Sequence, residues 1–326
     1  MFVPRGTFIL RPKSRSSKTK DEKEERIKDS PKNFKSQAMM LGFPLAPLTS
    51  FKIGGPADYF FVAKNKKELV KAVKFAQKQR LPFFILGQGT NLLISDQGFR
   101  GLVIKCELSK ILFSPLKIKA EAGVSLAQCL QFSSKKGLTG LEWSAGIPGS
   151  VAGAIYNNAG AFAHSIKEVV QKVKVLNVKD FKIKTISGAN CDFGYRQSIF
   201  KKHKELIILN VELKLEKGKK EEIKKEIKKY LNQRRRTQPL GLSAGCIFKN
   251  PRKRGEMISA GFLIEKCGLK GARLGQAVIS QKHANFILNQ GQATAQEVRS
   301  LIDLIKNKVR KKFGLKLQEE IEYLPC

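Results

Sequence analysis

The middle of the chain alternates apolar and polar residues with a period of two. Residues 116–123, 169–178, 181–186 and 206–218 predict strands with one solvent-facing side. Earlier, the apolar run Tyr59–Ala63 and residues 82–86 predict two more strands. Between them Leu69, Val73 and Ala76 recur at helical spacing behind Asn65 and Glu68, a capping-box pattern that opens a helix running to about Gln79. Residues 125–136 predict a short helix ended by Gly137. From 218 to 236 the period lengthens to that of a highly charged helix, with a narrow stripe of Ile223, Ile227, Tyr230 and Leu231, stopped by Pro239 and Gly241. Residues 260–271 predict a helix with a glycine end, and 272–291 a loop and a strand. Thr294 and Glu297 cap a helix with Val298, Leu301, Ile302, Ile305 and Val309 on its inner face. A final strand is expected to carry Glu319 and Glu320.

Strands and helices in this order predict an α+β protein. We divide it into a basic, disordered extension at 1–40, a first domain at 41–217 and a smaller second domain at 218–326, with the charged helix at the junction. The length suffices for two modest cores, and a hydrophobic content of 42% argues against disorder. A net charge of +35 suits a nucleic-acid partner, but the lysines are dispersed rather than focused, so no specific nucleic acid is expected. The extension, with 11 Lys/Arg between Arg5 and Lys35, reads either as a basic arm or as an ordinary tail preceding a start at Met39 or Met40. The six cysteines lack CxxC spacing and read as reduced thiols in a cytoplasmic protein. The three histidines are too scattered for a histidine metal site, so no metal is expected. No secretory signal and no membrane span are apparent, and a monomer is expected.

Two glycine-rich stretches carry candidate chemistry. Residues 140–162 hold five glycines, five alanines and almost no charge, in a GxxGxxxG arrangement from Gly146 that is not a Rossmann turn. Residues 87–91 (GQGTN) join two strands, and successive backbone N–H groups in such a turn make a nest for phosphate oxygens. Their alternative is a plain tight turn. The candidate nest comprises Gly87, Gln88, Gly89, Thr90 and Asn91. Gly146, Gly149, Ser150 and Gly153 lie in a stretch whose backbone can pass close to something large and flat, or turn sharply. Arg196, between an aromatic and a polar residue in an irregular segment, is a candidate anion binder, with a surface arginine as the alternative. The triplet Arg234–Arg236 reads as a nucleic-acid patch or as a solvated helix end, the latter at least as well supported.

Taken in order, TSFKIGGPAD (49–58), LGQGTNLLISDQGFRGLVI (86–104), residues 140–162, FGYRQSIF (193–200), SAGCIFKNP (243–251), AGFLIEKCGLKG (260–271), HANFILN (283–289) and LQEEI (317–321) resemble the UDP-N-acetylenolpyruvoylglucosamine reductase family. The resemblance implies an FAD-binding domain of the PCMH and vanillyl-alcohol-oxidase type, made of two α/β subdomains, followed by an α/β substrate-binding domain. It implies FAD as cofactor, NADPH as co-substrate and a nucleotide-sugar substrate. It places enolate stabilisation on Arg196 with Glu320, proton donation on Cys246 where the family pattern has serine, and substrate contacts on Asn250, Lys270 and His283. Thr90 and Ala152 stand where the pattern has serine and glycine, and the short span from Ile207 to Ser243 implies the shorter subclass. A thiol at position 246 further implies sensitivity to alkylation.

Overall fold

A computed structural model describes residues 39–326. The extension expected at 1–40 lies outside the described residues except at its end. There Met39 is buried and Met40 opens a strand.

The first unit contains β1 (Met40–Pro44), β2 (Pro56–Ala63), α1 (Lys66–Lys78), β3 (Phe83–Leu86), β4 (Leu92–Ile94) and β5 (Phe99–Cys106). Its sheet runs β1-β2-β5-β3, with β2 and β3 parallel to β5. Parallel strands need apolar residues on both faces, and β5 supplies them: Leu102 and Ile104 meet Leu69, Val73 and Ala76 of α1, whereas Val103 faces Leu45, Phe60 and Phe84. Asn65 caps α1 by accepting from the Glu68 N–H.

The second unit follows with β6 (Ile111–Ser114), β7 (Lys117–Glu121), α2 (Leu126–Lys135), α3 (Val151–Asn157), β8 (Val170–Asn177), β9 (Ile183–Ser187), α4 (Ile199–Lys202), β10 (Leu206–Lys214) and α5 (Lys220–Thr237). Its strands form one antiparallel sheet in the order β9-β8-β10-β7-β6. The charged helix α5 was placed at the start of the second domain. It packs Ile227, Tyr230 and Leu231 of its stripe on the core of this unit and buries Ile223.

The last unit holds α6 (Ala260–Lys266), β11 (Arg273–Leu274), β12 (Ala277–Ile279), β13 (Ile287–Asn289), α7 (Ala295–Phe313) and β14 (Glu322–Leu324). Residues 273–289 fold as a three-stranded antiparallel sheet, where a single strand was expected. The run is too rich in turn residues for its short strands to show as alternation. The closing strand also starts later than expected. Glu319 and Glu320 precede β14; the backbone of Glu319 makes an isolated bridge to Phe248, and its carboxylate pairs with Lys306.

The units are tied together by backbone. β14 leaves its own unit and pairs in parallel with β4. Asp96, in the turn after β4, accepts from Ala295 N (2.7 Å) and Gln296 N (3.1 Å) at the start of α7. Asn289 donates to Phe51 O and Ser50 to Ser243 O. Among the described residues no helix is long and apolar enough to cross a membrane.

Candidate active site

The two glycine-rich stretches meet. Residues 87–91 leave the end of β3, and residues 146–150 lead into α3. Gly149 N donates to Gln88 Oε1 (3.1 Å), and Thr90 Oγ1 donates to Pro148 O (3.4 Å). A Cβ on Gly87 would sit 2.7 Å from Ser150 Oγ, and one on Gly149 would sit 3.1 Å from Thr90 Oγ1. Gly89 has φ +66°, and a Cβ there would lie 2.3 Å from Leu48 O. The glycines thus let the two loops pack closely, with the Ser150 and Thr90 hydroxyls at the seam between them. Lys105 of β5 reaches into it and donates to Gly87 O, and its pKa is lowered by burial. Ser150 caps α3 by accepting from Gly153 N (3.2 Å), and its hydroxyl hydrogen remains to be donated. A glycine-rich seam with short hydroxyl side chains and a cation beside it fits the diphosphate of FAD. Gly146 has a different reason for its small size. A Cβ there would lie 2.9 Å from Arg234 Cδ, so the residue makes room for α5. Ala152 lies within α3, against the apolar cores, where a Cβ is accommodated.

Beside this seam three later segments converge. Arg196 sits in a tight turn closed by Gly194 and Gln197, with φ +53°. Asn158, the C-cap of α3, donates to Gly194 O (2.8 Å), and Ser198 donates to Tyr156 O (2.7 Å), so α3 holds the turn from below. The guanidinium donates through Nη1 to Gly160 O (3.0 Å). Its Nε approaches Glu320 Oε1 to 2.5 Å without hydrogen-bond alignment, an ion pair with an N–H still to place. Glu320 is held by its backbone: its N–H donates to Ile247 O (2.7 Å), and its carbonyl accepts from Asn91 Nδ2 (3.1 Å). Burial lifts its carboxyl above the usual range, opposed by Arg196, Lys201 and Lys249.

Cys246 bridges to Phe286 and remains partly accessible. Burial, with the charge of Glu320 added, pushes its thiol up to about 12, against Arg196, Arg234 and a hydrogen bond from Asn285. Asn285 itself is clamped to Phe248, accepting from its N–H (2.9 Å) and donating to its carbonyl (2.8 Å).

Arg234 belongs to this group and was missed, because its triplet reads as a solvated helix end. Arg235 and Arg236 are indeed exposed. Arg234 instead turns inward, donating to Ala145 O (2.8 Å), with its guanidinium 5.0 Å over the Phe162 ring. Its position three residues after Leu231 and four after Tyr230, on the buried stripe, is the signal that could have found it.

The three expected substrate contacts split. Asn250 adjoins the centre: its N–H donates to the Tyr195 hydroxyl oxygen (3.2 Å), and its Oδ1 accepts from Ala260 N (2.9 Å). Lys270 and His283 form a neighbouring group. Lys270 pairs with Glu265 at 2.8 Å. His283 packs edge-on to Phe286 and accepts at Nδ1 from Asn285 N (3.2 Å). Burial and then Lys270 lower the His283 pKa, so the ring is neutral and presents an Nε2 donor rather than a charge. A separate cavity of about 580 Å³, lined by Glu142, Trp143, His164, Glu222 and Tyr230 among others, holds none of the converging groups. It is a charged cleft beside α5 and has no part in this centre.

Comparison with known proteins agrees with the geometry. Residues 57–187 match the family model described as an FAD binding domain, and residues 238–324 match the one described as the UDP-N-acetylenolpyruvoylglucosamine reductase C-terminal domain. The reductase of Caldanaerobacter subterraneus subsp. tengcongensis is 43% identical over 88% of this chain and 94% of its own length. That of Syntrophus aciditrophicus is 41% identical over 90% and 95%. The crystal structure of the Thermus caldophilus reductase superposes with a TM-score of 0.74 at 35% identity, covering 89% of this chain and 99% of that one.

Proposed function

From the premise that the chain belongs to the UDP-N-acetylenolpyruvoylglucosamine reductase family, we propose that it reduces the enolpyruvyl group of that nucleotide sugar, with NADPH as electron donor, giving UDP-N-acetylmuramate for peptidoglycan precursor synthesis. The observation that carries the reading is the convergence of Arg196, Glu320 and Cys246 beside the paired glycine loops. When bound, FAD supplies from N5 the hydride that reaches the methylene carbon of the substrate.

Residues 87–91 hold the cofactor diphosphate, with Gly149, Ser150 and Gly153 against the flavin beside it. Adding a hydride to the methylene carbon pushes electron density towards the adjacent carbon and its carboxylate. Arg196, fixed by Gly160 and the Asn158-held turn, presents its cation to that developing charge. Glu320 can share a proton with the same carboxylate, because burial favours its neutral form. Cys246 then gives its proton to the carbon beside the carboxylate, and solvent returns a proton to the sulfur. A thiol near 12 stays protonated at neutral pH and is still more acidic than an alcohol. Asn250 orients the nucleotide arm, with Lys270 and His283 beyond it. We read the enzyme as a cytoplasmic monomer of the shorter subclass.

Cys246→Ala tests the assignment. NADPH should still bleach the flavin at an unchanged rate, whereas reoxidation by the enolpyruvyl nucleotide should slow at least about 100-fold, the scale of a lost general acid. Full turnover in this variant would remove Cys246 from the role.

A further inference from the structure

A second buried ion pair joins the two segments that carry Arg196 and Glu320, and the chemistry above does not use it. Lys201 lies five residues after Arg196, and Glu322 two residues after Glu320. Lys201 Nζ stands 3.7 Å from Glu322 Oε1, with the side chains only 20% and 14% exposed. Lys201 also lies 5.2 Å over the ring of Tyr156 in α3, and the Tyr156 hydroxyl donates to Glu322. Lys204 faces Glu322 as well, and Lys249 and Glu320 face Lys201. The knot therefore binds α3, α4 and β14 directly behind the catalytic pair.

We propose that Lys201 and Glu322 are positioning residues, a backing pair that keeps the Glu320 segment seated on the Arg196 turn while the substrate carboxylate competes for Arg196. The inference rests on the functional reading above. In the free protein Arg196 and Glu320 hold each other. A substrate carboxylate drawn to Arg196 weakens that hold at the moment when Glu320 must stay in place. The strand that follows Glu320 has only three residues, on one strand of equal length, so its backbone pairing alone is a slight anchor. A buried ion pair contributes little net stability, because desolvation offsets its attraction. It does fix which groups meet, and that is what this position requires.

The experiment compares wild type with Lys201→Met, Glu322→Gln, the double variant and the conservative Lys201→Arg. Hydrogen exchange of residues 317–324 is followed with and without UDP-N-acetylmuramate, and the two half-reactions are timed separately. In the free proteins the segment should exchange at similar rates throughout. With the nucleotide bound, Lys201→Met and Glu322→Gln should exchange roughly tenfold faster than wild type. Their reoxidation by the enolpyruvyl nucleotide should slow by roughly 10- to 100-fold, as small misplacements of reacting groups do, with flavin reduction by NADPH unchanged. The double variant should be no worse than either single one, and Lys201→Arg should recover most of the loss. Losses that add in the double variant, or exchange that nucleotide does not accelerate, overturn the inference. Full turnover by Cys246→Ala would overturn the proton-donor reading while leaving the exchange result standing.

Discussion

A buried sulfhydryl gives up its proton reluctantly, and the Cys246 thiol is largely desolvated with Glu320 for a neighbour. At a pKa of about 12, only about one thiol in 10⁵ is ionised at pH 7. The thiolate is the species that alkylates. Cys246 should therefore react with iodoacetamide far more slowly than exposed Cys326, and its rate should climb about tenfold per pH unit through the alkaline range. Mass spectrometry of the two peptides decides this, and equal rates at pH 7 would contradict it. Against the sequence-based expectation of alkylation sensitivity, the packing round Cys246 predicts a slowly alkylated thiol, because the sequence shows the thiol but not the groups packed round it. A second residue-scale prediction concerns Gly89. Alanine there would carry φ +66° and place its Cβ 2.3 Å from Leu48 O. Left-handed backbone costs a non-glycine residue about 1–2 kcal/mol, and the overlap forces the loop away from Leu48 and Thr49. Gly89→Ala should purify with little flavin, as read from its visible absorbance.

Among the elements, α7 shows how one part of the molecule depends on another. Thr294 and Glu297 cap it within its own sequence, and both were legible there. Asp96 adds a second cap from the other side of an interdomain contact. An aspartate at a helix N-terminus accepts orphan N–H groups and meets the positive end of the helix dipole. Asp96→Ala should cost about 1 kcal/mol, the typical value for a lost cap. The measurements are a lowered midpoint of denaturation and faster hydrogen exchange in the first turn of α7. Unchanged exchange there would show that Thr294 suffices. The same contrast explains what the sequence disclosed. Capping boxes and stripes are local, so α1, α2 and α7 were visible with nearly correct ends. The pairing of β14 with β4 is not local, and the apolar spacing of its three residues says nothing about a distant partner. Arg196, Cys246 and Glu320 were identified through motif resemblance. The inward turn of Arg234 was not, since the run of three arginines reads as a solvated helix end unless its spacing to Tyr230 and Leu231 is weighed.

For the whole molecule, the seam proposed to hold the cofactor is also a structural joint. The loop 87–91 belongs to the first unit and 146–150 to the second, and a ligand bound by both stabilises their union. FAD that binds only the folded protein should raise its stability by about 2.7 kcal/mol at one hundred times its dissociation constant. The midpoint of thermal unfolding of flavin-stripped protein should rise steadily with added FAD, and a midpoint independent of FAD would count against the seam as the binding site. The net charge of +35 acts at this scale too. With the lysines dispersed, it favours solubility and loose attraction to anions rather than one docking face.

The parallel pairing of β14 with β4 has a consequence for how the molecule assembles. Asn91 and Glu320, which hydrogen-bond beside that pairing, are 229 positions apart in the chain. The fully buried β4 must wait for a partner contributed almost at the far end, and contacts that distant form slowly. Until then it is an unpaired apolar edge, open to pairing with another chain. Refolding should therefore recover the flavin seam before it recovers Glu320, passing through a yellow but inactive intermediate whose loss to aggregation grows with protein concentration.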